Sequence, residues 1–360
     1  MIDRRRLLGG ILGLRAAAVA GTLSSTAPQT YEEAVRATRA PLRATPRDRE
    51  LVRFATLAAN SHNTQPWTFT VAGKKITMAP DFARRCPVVD PDNHHLFVSL
   101  GCAAENLVVV APALGLKAGP MFDGERVVID LEPAPSERSA LIEAIPARQC
   151  TRAKFDGKPL APDALRLLEN ACHEPGVSAI FLTDRTRMSN VVDYVTRANS
   201  AQMRDKAFMD ELVSWMRLSE ADAVATMDGQ FAAASVNPAL PAWTARSLLR
   251  FFFIETGENN KHREHIESSA GIVVLVADTA DKANWMAVGR AYQRFGLQAT
   301  ALGLKYAIIN QPVEVRAART EFASFLGIGE RRPDIVMRLG TGPDLPKSLR
   351  RLPEQVMREE

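Results

Sequence analysis

Ser61-His62-Asn63-Thr64-Gln65-Pro66-Trp67 is the stretch on which the reading of this chain turns. Upstream of it, Leu51, Phe54, Ala55 and Ala58 recur at helical spacing. Downstream, Trp67, Phe69 and Val71 alternate with threonines, the pattern of a half-buried strand. The chain therefore leaves a helix, crosses a short polar turn and enters a sheet through Pro66. The Ser61 hydroxyl and the Asn63 and Gln65 amides can all hydrogen-bond to a planar, heteroatom-rich ligand. The same residues also suit an ordinary capped loop with Trp67 in the core.

With one flanking residue on the left and two on the right, Asn60-Ser61-His62-Asn63-Thr64-Gln65-Pro66-Trp67-Thr68-Phe69 resembles the P-S-x-x-N-x-Q-P-W-x-F element of the FMN-dependent nitroreductases. It is most similar to their Acg-like, fused-dimer branch. Asn60 stands where proline is usual. The resemblance implies that the turn, with Ser61, His62, Asn63 and Gln65, lies over a flavin bound largely by the opposite half of a dimer.

A second signal is internal. Residues 101–117 (GCAAENLVVVAPALGLK) align without gaps on residues 289–305 (GRAYQRFGLQATALGLK), with 8 of 17 positions identical. Both read as long helices with small residues on one face, each ended by a glycine. A period of 188 residues (289 − 101) indicates duplication of a half-domain rather than a solenoid. Pro162-Asp163-Ala164-Leu165 opens a helix in the second copy that matches residues 46–58 in the first. The polar turn is answered there by His173-Glu174-Pro175-Gly176-Val177-Ser178, which keeps none of its polar set.

Arg148-Gln149-Cys150-Thr151-Arg152 places two guanidinium groups four residues apart, able to fork onto a phosphate dianion. It resembles the family's R-x-[ST]-x-R element, with Cys150 in place of the hydroxyl and Thr151 as a substitute donor. The competing Arg43-Ala44-Thr45-Pro46-Arg47 reads as a helix cap, Thr45 preceding Pro46 at the first helical position. By the same resemblance, Asn310-Gln311, after the Gly303 that ends the repeat, would present a backbone N–H to the flavin N5. Lys347, Arg350 and Arg351 would complete the phosphate cage. Each copy then retains half of a site, and one flavin per chain is expected.

The formal charge is +4, but residues 1–20 hold four Arg and one Asp, so the remainder carries about +1. That balance argues against a nucleic-acid surface. Asp3-Arg4-Arg5-Arg6-Leu7-Leu8 and the following Gly/Ala/Leu run resemble a twin-arginine export leader over residues 1–27, implying a periplasmic or exported protein and the twin-arginine machinery as a partner. Without that function the chain would stay cytoplasmic. No stable membrane span is expected. Cys86, Cys102, Cys150 and Cys172 form no C-x-x-C and read as free thiols. His262-x-x-His265 and His94-His95 show no third ligand in the sequence, so no metal is expected, and His262 reads as part of a solvated face. No G-x-G-x-x-G follows a strand, which leaves no Rossmann nicotinamide site.

The expected fold is α+β and nitroreductase-like: two repeated sheet-and-helix halves, residues 28–135 and 136–360, forming an internal pseudo-dimer. An insertion at about residues 195–265, with Pro238, Trp243 and Phe251-Phe252-Phe253, would act as a lid. The resemblance implies an FMN-dependent NAD(P)H oxidoreductase of nitroreductase or quinone-reductase type, working by ping-pong hydride transfer to a small-molecule acceptor. The alternative is a non-catalytic flavin-binding or storage protein with an occluded site.

Overall fold

The computed structural model describes residues 28–235 and 254–360. The leader and the residues 238, 243 and 251–253 of the expected lid lie outside these. In the first half, α1 (Tyr31–Arg39) and α2 (Arg47–Thr56) precede β1 (Trp67–Ala72) and β2 (Lys75–Pro80). Then come α3 (His94–Val110), β3 (Leu116–Phe122), β4 (Val127–Pro133) and α4 (Ala140–Ala147). The cap expected at Thr45 is shifted: Pro46 takes the N-cap place with no side-chain bond, and the helix starts at Arg47. Arg43 instead pairs with the buried Glu50, so its charge is not free for a phosphate.

The second half runs α5 (Pro162–Ala171), β5 (Val177–Leu182), α6 (Arg185–Arg204), α7 (Lys206–Ser214), β6 (Met216–Arg217), α8 (Glu220–Thr226), β7 (Gln230–Phe231) and α9 (Glu255–Glu267). It continues through β8 (Gly271–Ala277), α10 (Lys282–Ala301), β9 (Lys305–Ile308), α11 (Gln311–Glu314), α12 (Arg316–Leu326) and β10 (Pro333–Gly340). It closes with α13 (Pro353–Val356) and β11 (Met357–Glu359).

The repeat is visible in the sheets. One is ordered β11-β1-β2-β4-β3, the other β5-β8-β10-β9. Matching β1 with β5, β2 with β8, β4 with β10 and β3 with β9, the order and the antiparallel sense coincide throughout. The two-residue hairpin after β1 is replaced in the second copy by the whole segment 183–270, a wider insertion than the sequence suggested. The chain end then returns to the first half, where β11 pairs parallel to β1.

Between the sheets, α3 and α10 cross with almost no space. A Cβ on Gly101 would lie 2.1 Å from the Met286 carbonyl oxygen, and one on Gly289 2.0 Å from that of Val98. Adding 188 to Val98 gives Met286, and to Gly101 gives Gly289, so the two contacts are the same contact seen from each side. Such reciprocity defines an isologous, twofold interface. Left-handed glycines close both segments, Gly115 (φ 69°) after the 3-10 turn Ala111–Leu114 that follows α3 and Gly303 (φ 72°) just past α10, where a side chain would be strained.

A main core joins both sheets to these helices through Trp67, Phe69, Leu100, Val273, Phe295 and Met337. A second core fills the outer face of the second sheet, with Val191, Val274, Phe322 and Val336. With helices on both faces, β8 reads GIVVLVA and all seven residues are buried, whereas β1 alternates. Among the described residues one segment, His94–Leu114, is apolar enough to cross a membrane by length and composition, but 78% of it is buried in the fold. It is the core helix.

Candidate active site

The turn 61–67 is conformationally costly. His62, Asn63 and Gln65 all adopt left-handed φ, at 48°, 54° and 54°. Non-glycine residues rarely do so, and such strain clusters where surrounding structure enforces it at functional sites. The enforcement is visible here. Asn63 Nδ2 donates to the carbonyls of Gly229 (2.8 Å) and Leu349 (3.0 Å). Gln65 Nε2 donates to the Met227 carbonyl at 2.8 Å, and its Oε1 accepts the Arg351 N–H at 2.8 Å. Arg84 donates to the Thr64 carbonyl and pairs with Asp228. Asn63 and Gln65, expected to reach a ligand, therefore spend these amide donors on the inserted segment and the chain end. Only Asn63 Oδ1 is left buried without a partner.

The other side of the turn opens on a cavity of about 270 Å³. Ala59, Asn60, Ser61 and His62 line it from the turn, and His95, Ser99 and Cys102 from α3. The second half contributes Arg152, Tyr292, Asn310, Gln311 and Glu314, and the insertion adds Gln202, Phe208, His262 and His265. So both halves and the insertion meet in one place. Of the expected site residues, Ser61, His62, Arg152, Asn310 and Gln311 face it. His262, read from sequence as solvated, is here too, with its Nε2 3.1 Å from Gln311 Nε2.

The cavity's electrostatics follow from burial. His62 is held down to about 3 by burial and then by the charge of Arg152. His262 is lowered to about 4 and His265 to about 3, again chiefly by burial. These imidazoles are neutral at neutral pH. Burial pushes the Cys86 thiol, 3.8 Å from His62 Nδ1, well up, so that pair is no nucleophile dyad.

The remaining expected residues lie outside the cavity wall. Arg148 is buried and donates to the Tyr306 hydroxyl (2.7 Å) and the Leu57 carbonyl (3.0 Å). Arg350 is buried and reaches the Ala58 carbonyl at 3.3 Å. Arg39, missed in the sequence, donates to the carbonyl of Arg148 at 3.3 Å and of Pro146 at 2.7 Å. Among the described residues none of the three has a carboxylate within ion-pair distance. Burial and then the Arg148 charge lower Arg39 to about 9, while burial and then the Arg39 charge hold Arg350 well below its usual value. Lys347 falls to about 8, first by burial and then by the Arg39 charge.

Arg148 and Arg350 are buried and Arg39 and Lys347 half-buried; clustered cations of this kind without a counter-charge are costly, and a bound anion would relieve them. The Nε atoms of all three arginines and the Thr151 hydroxyl have no partner, donors suited to a phosphate. Cys150 is half-buried, and its backbone forms an isolated bridge to Tyr306. Arg351 knits the turn by donating to the Trp67 carbonyl at 3.2 Å. Gly303 does not line the cavity; ending α10 explains it.

The pseudo-symmetric counterpart of the cavity is filled. Cys102 corresponds to Arg290, and the α2–β1 turn to the α5–β5 loop carrying Glu174. Arg290 binds both Glu105 and Glu174 at 2.9 Å, and Arg294 pairs with the same two carboxylates. Four charged side chains thus pair at the position that mirrors the cavity. His94 and His95 do have a third neighbour, Asp90, with ligand atoms within 4.8 Å, contrary to the sequence reading. That carboxylate accepts the His95 and Leu96 N–H groups at 3.0 Å, and His94 Nε2 lies 2.8 Å from Asp334 Oδ1, so the cluster is engaged in capping and pairing.

No protein-family model matches the chain. Proteins from two strains of Mycobacterium tuberculosis, each provisionally named an NAD(P)H nitroreductase, are 25% identical over 328 residues, covering 86% of this chain and 90% of theirs. Among solved structures, the FMN-dependent nitroreductase NfnB from Mycobacterium smegmatis, in complex with NADPH, matches 61% of this chain and 97% of its own. The identity is 14% and the TM-score 0.42. A nitroreductase with bound FMN from Desulfitobacterium hafniense matches 59% and 94%, at 13% identity and TM-score 0.37.

Proposed function

We propose that this chain is an FMN-dependent NAD(P)H oxidoreductase of nitroreductase type, holding one FMN. The observation that carries the reading is the meeting of two features contributed by different halves. The strained polar turn faces a cavity lined by Arg152, Asn310 and Gln311, and a carboxylate-free cluster of buried arginines adjoins Leu57 and Ala58 just before that turn. The sequence similarity to NAD(P)H nitroreductases supports it, as do the ion pairs at the position that mirrors the cavity.

In this reading Arg148, Arg350 and Lys347 hold the phosphate, with Arg39 and the Thr151 hydroxyl beside them. Ser61, His62, Arg152, Asn310 and Gln311 orient the ring and exclude water from it. When bound, FMN would supply two-electron transfer from NAD(P)H to an acceptor, the two using the cavity in turn.

Purified protein is expected to show a flavin visible spectrum with one FMN per chain. Arg148→Ala should weaken FMN binding by about 1.5–3 kcal/mol, the worth of a hydrogen bond to a charged group. Two flavins per chain, or undiminished affinity in that variant, would sink the arrangement.

Export through the twin-arginine route remains part of this proposal and rests on Arg4, Arg5 and Arg6 ahead of the apolar run. Replacing all three with lysine should leave folded, flavin-loaded protein in the cytoplasm on fractionation. Unchanged recovery outside the cytoplasm would make the segment an ordinary tail.

A further inference from the structure

Glu314 stands apart from the other acids of the cavity. It closes α11, four residues after Asn310, so the two project from the same side of one helical turn into the cavity. Its Oε2 accepts a hydrogen bond from Gln202 Nε2 at 2.7 Å, and among the described residues no cation lies within ion-pair distance of it. His95 faces it from α3, Asp90 from the approach to α3, and Arg152 from the segment before α5. Cys86 is also near, and α9 brings Glu258, Lys261 and His262 to the same wall.

We propose that Glu314 is the catalytic acid of this cavity, giving a proton to the carbonyl oxygen of a bound quinone as the quinone is reduced. The inference rests on the oxidoreductase reading above. A quinone becomes a hydroquinone by gaining two electrons and two protons. Reduced flavin, when bound, would supply both electrons and one proton as a hydride, and the second proton must come from the protein. The Glu314 O–H bond breaks, a phenolic O–H bond forms, and the remaining carboxylate recovers its proton from water. Burial raises the Glu314 carboxyl above its ordinary value, which favours the protonated form that a proton donor needs. His62, His262 and His265, held neutral by burial, are too weakly acidic in that form to replace it.

Glu314→Gln keeps the shape and removes the proton. Stopped-flow reoxidation of the reduced protein by benzoquinone should slow by about 100-fold or more, the usual worth of a positioned acid. The wild-type decline of that rate with rising pH should vanish in the variant. Reduction by NAD(P)H, and reoxidation by ferricyanide, need no proton from the cavity and should stay within about twofold. Glu314→Asp should recover part of the quinone rate. Independently of flavin, infrared pH titration of flavin-free protein should show a carboxyl C=O band near neutral pH that Glu314→Gln abolishes. Absence of that band in the wild type, or equal slowing with ferricyanide and quinone, overturns the assignment. Protein that binds flavin but whose variant reoxidises normally with benzoquinone overturns this assignment alone. Protein that binds no flavin overturns the oxidoreductase reading and this one with it.

Discussion

Gly289→Ala is expected to destabilise the protein by at least about 3 kcal/mol, above the usual range for an overpacked core because the clash is with backbone. The new methyl group would sit 2.0 Å from the Val98 carbonyl oxygen and 2.9 Å from its carbon. Neither can rotate away, so α3 and α10 must separate along a crossing buried on all sides. A loss of that size is a large share of the roughly 5–15 kcal/mol available to a typical domain. Gly101→Ala should behave alike, meeting Met286 at 2.1 Å. Gly119 on β3 is the control: nothing lies within 4 Å of its Cβ position, and alanine there should be nearly neutral. Urea midpoints for the three variants decide the matter. If Gly289→Ala is as stable as Gly119→Ala, the two halves do not meet as described.

Arg53→Met is the second large effect, expected at about 3–5 kcal/mol, the cost of leaving a buried charge without its partner. Arg53 and Glu50 are both buried, 2.5 Å apart, and Arg53 also donates to the carbonyls of Thr38 (2.8 Å) and Ala40 (2.9 Å). The pair therefore fastens α1 and its exit to α2, the helix that leads into the strained turn. Burial works to raise the Glu50 carboxyl, but its bonds to Arg53 and Arg43 outweigh that and leave it below its ordinary value of 4.5. A depressed carboxylate contributes stability above its unfolded pKa and loses it as pH falls through the folded value. The wild type should thus weaken below about pH 4.5 from this source. In Arg53→Met, Glu50 loses its main counter-charge and its folded pKa rises toward or above the unfolded value, so this source of acid loss should shrink or vanish while the midpoint near neutral pH falls. A pH series of thermal midpoints measures both. An unshifted acid limb with a small drop in midpoint would mean that Arg43 alone neutralises Glu50.

Local chemistry was legible along the chain itself. Helical spacing around Phe54 and alternation from Trp67 marked α2 and β1, because those periodicities report directly on which face is buried. The ALGLK repeat marked the duplication, and Gly101 and Gly289, which open the two aligned stretches, are the glycines kept at the helix crossing. The turn 61–67 stood out by its polar composition together with its resemblance to a family motif. The partners of its side chains did not. Whether Asn63 and Gln65 face a ligand or the inserted segment depends on carbonyls at Met227, Gly229 and Leu349, 162 to 286 residues away. Likewise His262 looked solvated because its neighbours in sequence are charged, and only the packing of α9 beside α11 turns it inward.

The sequence by itself indicated α2, β1, the duplication and, through its likeness to a family motif, the candidate turn, since periodicity and motif are carried by neighbouring residues. Only the tertiary structure decided that Arg39 joins Arg148 and Arg350 in a cluster without carboxylates, and that Arg290 and Glu174 pair at the position that mirrors the cavity. It also placed Glu314 beside His95. Burial, counter-charge and hydrogen-bond partners belong to groups distant along the chain, and those three quantities set which side chains are free to meet a ligand.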